Sequence, residues 1–269
     1  MKTIDEQFRP IITTIYEIQK TFALIFAEMS ESYRTWIKQN SYLFELLPKL
    51  VERAKEWQKA QKQNVIEMAQ RGWFPNWFTF DYVPEQDVTD LDELMTMHLN
   101  ESWDEIVSCI IARCPKRKHI LETSFVLHKS RNYIASVPLF IAQADGIFCE
   151  EIKTFLFAGD KPKEVLEQLV DSGELQKGFF EDILLEPYKI KTQFSEGVKK
   201  STKQDKTKAP NRNGILHGHR KHLDYGTEKN SLKAFSLLAF VVFSTKDVFK
   251  KKSMGGRVEH NRAKRNPTQ

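Results

Sequence analysis

The chain has 269 residues, with 41 Lys and Arg against 36 Asp and Glu, a formal net charge of +5 and a hydrophobic content of 41%. That apolar content supports a real core and excludes a fully disordered chain, and the length suits one large domain or two small ones. Three cysteines, Cys109, Cys114 and Cys149, form no CxxC pair, which argues against a disulfide framework or a zinc site and fits a reducing compartment. No apolar run reaches the roughly 20 residues needed to cross a bilayer. The longest, Ala234 to Phe243, has half that length, and the N-terminal MKTIDEQFRP has no apolar signal core. A cytoplasmic protein with no membrane partner is therefore expected. Eleven glycines and ten prolines are few, which disfavours an all-β architecture rich in tight turns.

Taken in chain order, residues 4–30 carry Ile11, Ile15, Ile18, Phe22, Ile25 and Phe26 at helical spacing, with Pro10 suited to a first turn. Ser41 to Gln70 reads as one helix or a broken pair, with Pro48 as the expected break. At 71–84 (RGWFPNWFTFDYVP) two prolines, a glycine and six aromatics end the helical character. That stretch is expected to be a loop or short extended piece, either an aromatic plug over the core or a base-stacking platform.

Asp90 is expected to cap the next helix, with Glu93 three positions on. Trp103, Ile106, Val107, Ile110 and Ile111 then form an apolar stripe that Pro115 ends. Residues 116–152 give the strongest long helical signal, with Pro138 inside it and Asp145 in an otherwise apolar neighbourhood. A buried carboxylate is costly without a partner, so Asp145 faces a polar cleft, meets a cation, or lies at an exposed edge. Shorter helices follow over 160–198. Residues 199–209 read as a lysine-rich loop and 250–269 as a basic, unfolded tail.

Charge is unevenly placed. Residues 199–269 carry a net +13, which leaves −8 for residues 1–198. An anionic partner met by the back of the chain explains this split, and so does a solvated linker and tail.

The segment 209–235, APNRNGILHGHRKHLDYGTEKNSLKAF, contains Arg212 and His217 separated by four residues, with Asn213 directly after the arginine. A histidine titrates near neutrality and serves as acid or base, while an arginine offers a permanently charged fork of donors to phosphate oxygens. Residues five apart on a regular helix lie roughly 140° from each other, so Arg212 and His217 cannot both face one phosphate from an ideal helix. Asn213 and His217, four apart, can touch. Asn213 is thus expected to orient the imidazole, and Gly214 and Gly218 to loosen or end the helix.

This RNxxxH segment resembles the catalytic signature of the HEPN superfamily. Those are helical-bundle ribonucleases of toxin–antitoxin pairs, abortive-infection and other phage-defence proteins, and the type VI CRISPR effectors. NRNGILHG with the following DYGT and NSLKAFSLL is similar to their closing helix pair, and SRNYIASVPLFIAQADGIF to a preceding bundle helix. The resemblance spans roughly residues 120–249. It implies an all-α, HEPN-like bundle over 116–249 and an additional N-terminal helical region, residues 1–115, of no assigned role.

It further implies a metal-independent endoribonuclease without cofactor. The 2′-hydroxyl attacks the adjacent phosphate, His217 acts as general acid/base, Arg212 stabilises the charged phosphate, and a 2′,3′-cyclic phosphate and a 5′-hydroxyl result. The expected partners are RNA, either tRNA or another RNA of cellular or phage origin, and an antitoxin or sensor protein. One motif per chain implies a homodimer, or a second, degenerate unit within residues 1–115; the homodimer is favoured.

His219, Arg220, Lys221 and His222 follow the motif, and Lys206 and Lys208 precede it. These six are expected to contact RNA phosphates. For the histidines a metal site and plain solvated surface are the alternatives. Tyr225 and Asn230 are candidate supporting residues, with Thr227 expected to cap the last helix and AFSLLAFVVF to form the buried spine. Two other functions stay open: a non-catalytic HEPN-type binding or regulatory module, and a helical scaffold in which Arg212 and His217 are structural.

Overall fold

The computed structural model describes residues 41–84, 88–175, 178–201 and 209–249. The helix expected over 4–30, the tail 250–269, and Lys206 and Lys208 lie outside the described residues. Among the described residues 73% are helical and none forms a strand, so the fold is all-α as expected. No described helix is long and apolar enough to cross a membrane.

The first helix, α1 (Ser41–Gln70), runs unbroken through Pro48. The expected break does not occur. Pro48 lies on an exposed face, where water can reach the carbonyl it leaves unpaired, and one lost bond is small beside a ladder of this length. After α1, Trp73 and Phe74 are fully buried, so the plug reading holds for them and stacking on nucleic acid is closed to them. The rest of that stretch is not simply a loop. Asn76 caps a short helix, α2 (Trp77–Asp81), by accepting from Phe78 N at 2.9 Å, while Thr79 Oγ1 accepts from Asn76 N.

Asp90 caps α3 (Leu91–Glu101), accepting from Asp92 N at 2.7 Å. Helix α4 (Trp103–Arg113) follows, burying Trp103, Ile106 and Ile110. The long helical signal of 116–152 divides into α5 (Lys118–Lys129) and α6 (Tyr133–Ile152). The chain turns between them at Arg131, whose φ of 62° no helix continues through. Then come α7 (Lys161–Asp171), α8 (Phe179–Leu184), α9 (Glu186–Lys189) and α10 (Val198–Ser201). Lys199 and Lys200 therefore belong to a helical turn rather than to the expected loop. Helix α11 (Arg212–Leu216) carries the motif, and α12 (Glu228–Phe243) closes the bundle.

Helix α12 is buried at every position from Ser231 to Phe243. A helix buried on all sides lies at the centre of a bundle. Thr227 caps it, accepting from Asn230 N, and α6 is its main neighbour. Trp103 of α4 stacks on Phe235 of α12 at 4.1 Å and on His128 of α5 at 4.3 Å. One hydrophobic core thus takes side chains from both sides of residue 115. Several polar groups inside it are paired with one another. His128 Nδ1 meets Ser231 Oγ at 2.8 Å, and Ser136 Oγ meets the same hydroxyl at 2.7 Å. Lys233, 1% exposed, lies 3.4 Å from Asp92 and over the Trp73 ring.

Candidate functional site

Helix α11 has five residues, too few to persist without help, and two caps hold it. At its start the buried Asn211 side chain accepts from Gly214 N at 2.6 Å and donates to the carbonyls of Gln193 (2.7 Å) and Glu196 (2.9 Å). The Arg212 N–H also donates to Phe194 O at 3.3 Å. The helix start is thereby fastened to the 192–196 turn.

At its end, Gly218 N–H bonds Ile215 O at 3.1 Å and His219 N–H bonds Gly214 O at 2.9 Å, with Gly218 at φ 59°. This is the double bond pattern of a Schellman motif, which needs a left-handed residue just past the helix. His217 is the last residue before that turn. Its imidazole is exposed and makes no hydrogen bond or ion pair among the described residues.

Arg212 points the other way. Its Nη2 lies 3.6 Å from Asp145 Oδ2, its Cζ 5.2 Å from the centroid of the Phe157 ring, and its Nη1 donates to Asn213 Oδ1 at 3.1 Å. The carboxylate at 3.6 Å is a charge partner beyond hydrogen-bond distance. Of the five guanidinium N–H groups, one is thus engaged by the protein and others remain for an anion. Asp145 meets a cation, one of the options open from its setting in α6. Burial pushes its pKa up, and Arg212 and the backbone N–H groups of Leu156 and Phe157 oppose that shift. The same carboxylate thus sits between the arginine and the 153–160 loop.

Asn213 does not orient the imidazole. Its Nδ2 donates to Glu196 O at 3.1 Å and its Oδ1 accepts from Arg212, so the amide positions the arginine instead. Gly214 does not loosen the helix either. A Cβ there would lie 2.4 Å from Cδ2 of His222, so the missing side chain is what lets the His222 ring pack onto α11.

That packing removes His222 from the expected basic rim, because it is only 5% exposed. His219 accepts from Lys221 N through Nδ1 and starts the short turn Arg220–His222, whose Arg220 and Lys221 are exposed. Tyr225 OH donates to Ile134 O at 2.9 Å, and Asn230 Nδ2 donates to Tyr225 O at 3.0 Å. Both residues hold the turn into α12, and neither hydrogen-bonds Arg212, Asn213 or His217.

Asn211, Phe157 and Glu196 were not singled out from the sequence. Asn211 carried a usable signal, as an Asn directly before a short helix is a preferred cap. Phe157 and Glu196 reach the motif only through tertiary packing and leave no local mark. Comparison with known protein families, with curated proteins and with solved structures finds no match to this chain.

Proposed function

We propose that this protein is an endoribonuclease of HEPN type that cleaves RNA without a metal, as a phage-defence or toxin effector in the cytoplasm. One observation carries the reading. The RNxxxH segment forms a doubly capped helix with a guanidinium that keeps free donors at one end and a bare imidazole at the other.

The chemistry follows from the residue types. The 2′-hydroxyl of the substrate attacks the neighbouring phosphorus, and the 5′-oxygen leaves. His217 moves the protons in this exchange. Arg212 meets the extra negative charge on the phosphate oxygens, and its planar fork suits that geometry. The products are a 2′,3′-cyclic phosphate and a 5′-hydroxyl. The exposed Arg220 and Lys221, together with Lys206 and Lys208 in the sequence, supply charge that gathers RNA without reading its sequence.

Because Arg212 faces inward and His217 outward, a complete site needs a second motif. A homodimer supplies it. Leu216, beside His217, is exposed, as are Leu223 and Ile134, the latter contacted by the 225–226 turn. Such residues around the motif suit coverage by a second copy. Control by an antitoxin or sensor protein is part of the proposal, since an unregulated ribonuclease harms its host.

The competing reading, a scaffold or binding module, draws on the Arg212–Asp145 pair. It predicts that Arg212→Ala lowers stability and changes no RNA. Expression of the parent and of His217→Ala, with sequencing of cellular RNA ends, separates the two. Clustered new ends with the parent alone support the nuclease. Identical RNA with both, from two folded proteins, supports the scaffold.

A further inference from the structure

The loop from Lys153 to Asp160 carries a second aromatic, two positions along the chain from the one under Arg212. Phe157 carries the guanidinium on its ring. Phe155, two residues earlier and so within about 7 Å along the chain, is 58% exposed. Isolated apolar residues on a surface need no explanation. This one stands on a loop that the protein fixes from several sides.

Lys153 enters the loop in the left-handed conformation with its N–H on Cys149 O, and Ala158 N–H bonds Phe155 O at 3.2 Å. The backbone N–H groups of Leu156 and Phe157 act on the Asp145 carboxylate and lower its pKa against the effect of burial. Leu156 and Phe157 pack against the core. Phe155 is therefore the one phenyl ring of the loop presented to solvent, held on the backbone that also sets Phe157 beneath Arg212. Leu156, Phe157 and Ser195 also line a shallow cleft with the exposed Lys163.

We infer that Phe155 stacks the unpaired base of the nucleotide flanking the phosphate bound by Arg212. This rests on the ribonuclease reading above. An exposed aromatic ring offers every base a sequence-tolerant platform, and a cation beside it holds the adjoining backbone. A base reaches such a ring only when it is splayed out of a duplex. The subsite therefore selects single-stranded RNA and adds affinity more than turnover.

The test uses the full chain, a labelled single-stranded RNA that the parent cleaves, and the same RNA annealed to its complement. Phe155→Ala is expected to raise KM about tenfold, the scale of one lost base stack, with kcat within about twofold. Phe155→Trp is expected to restore KM, and the annealed RNA to resist the parent. Equal KM for the parent and Phe155→Ala on an RNA that both cleave overturns the stacking role and leaves the nuclease reading intact. An RNA bound but left uncut by the parent overturns the nuclease reading and this inference with it. A KM rise that Phe155→Trp does not relieve also contradicts stacking, because both rings present a π face.

Discussion

Arg212 and Asp145 come from helices 67 positions apart in the sequence and meet at 3.6 Å in a partly buried site. The carboxylate is the costlier member, since burial alone pushes its pKa up. A charge kept at a cost suggests that it does something besides hold the fold. Asp145→Asn keeps shape and removes charge. Its expected stability lies within about 1 kcal/mol of the parent, as the buried carboxylate is no longer penalised. RNA cleavage is expected to fall about tenfold, because the arginine loses its anchor. Thermal melts and initial rates on the same preparations check both halves. A large stability loss with matching activity loss favours the scaffold.

The N-terminal cap of α11 concentrates three hydrogen bonds on one buried side chain. Asn211→Ala frees Gly214 N and the carbonyl of Gln193, while Glu196 O keeps the Asn213 amide. Leaving such groups unpaired costs about 1–3 kcal/mol each where water cannot reach them. A loss of about 2–4 kcal/mol is expected in urea unfolding.

Gly214 and His222 form a lock and its key. Gly214→Ala drives a methyl into the imidazole, and overpacking of this kind costs about 1–3 kcal/mol. In the double variant with His222→Ala the clash is gone, so the two costs should not add. A double-mutant cycle by chemical denaturation reads the coupling. Additive losses contradict the contact.

Two buried histidines make the protein acid-sensitive. His98 and His128 are held at about 4, in both cases first by burial, with Lys129 adding to the effect at His128. Their folded values lie below the unfolded value of about 6.5. The unfolded chain therefore binds more protons between pH 6.5 and 4, and stability falls as pH falls through that window. A loss of a few kcal/mol is expected by pH 4. Replacing His98 by Gln and His128 by Gln should flatten the pH profile of the urea midpoint, even though each replacement lowers it at pH 7.

Lys233 titrates in the opposite range. Burial lowers its pKa to about 8, with Asp92 working against the shift. Between pH 8 and 10.5 the unfolded state holds the extra proton, so this group makes stability rise with pH there. Lys233→Met removes that rise. Asp92 still receives Trp73 Nε1 at 2.7 Å and Lys229 at 2.8 Å, so the carboxylate is not orphaned. Stability at pH 7 is expected to be unchanged or higher by about 1 kcal/mol, checked by melts across the alkaline range.

Features written in local sequence were legible. The Asp90 and Thr227 caps and the largely apolar, buried stretch Ala234–Phe243 of α12 each follow from neighbours a few positions away. Arg212, Asn213 and His217 stood out as a pattern. What they touch did not, because contacts with Phe157, Glu196 and His222 depend on how distant helices pack. Pro48 misled because propensity is a weak prior against a long helix. His222 misled because a basic run looks uniformly solvated in sequence, while one member of it fills the space that Gly214 leaves.

The most direct test of the central claim is the chemistry of the RNA ends left by purified protein in excess chelator. The parent is expected to leave 2′,3′-cyclic phosphate and 5′-hydroxyl ends, and folded His217→Ala to leave the RNA uncut. Equal cleavage by the two proteins, or RNA that the parent leaves intact, would contradict that claim.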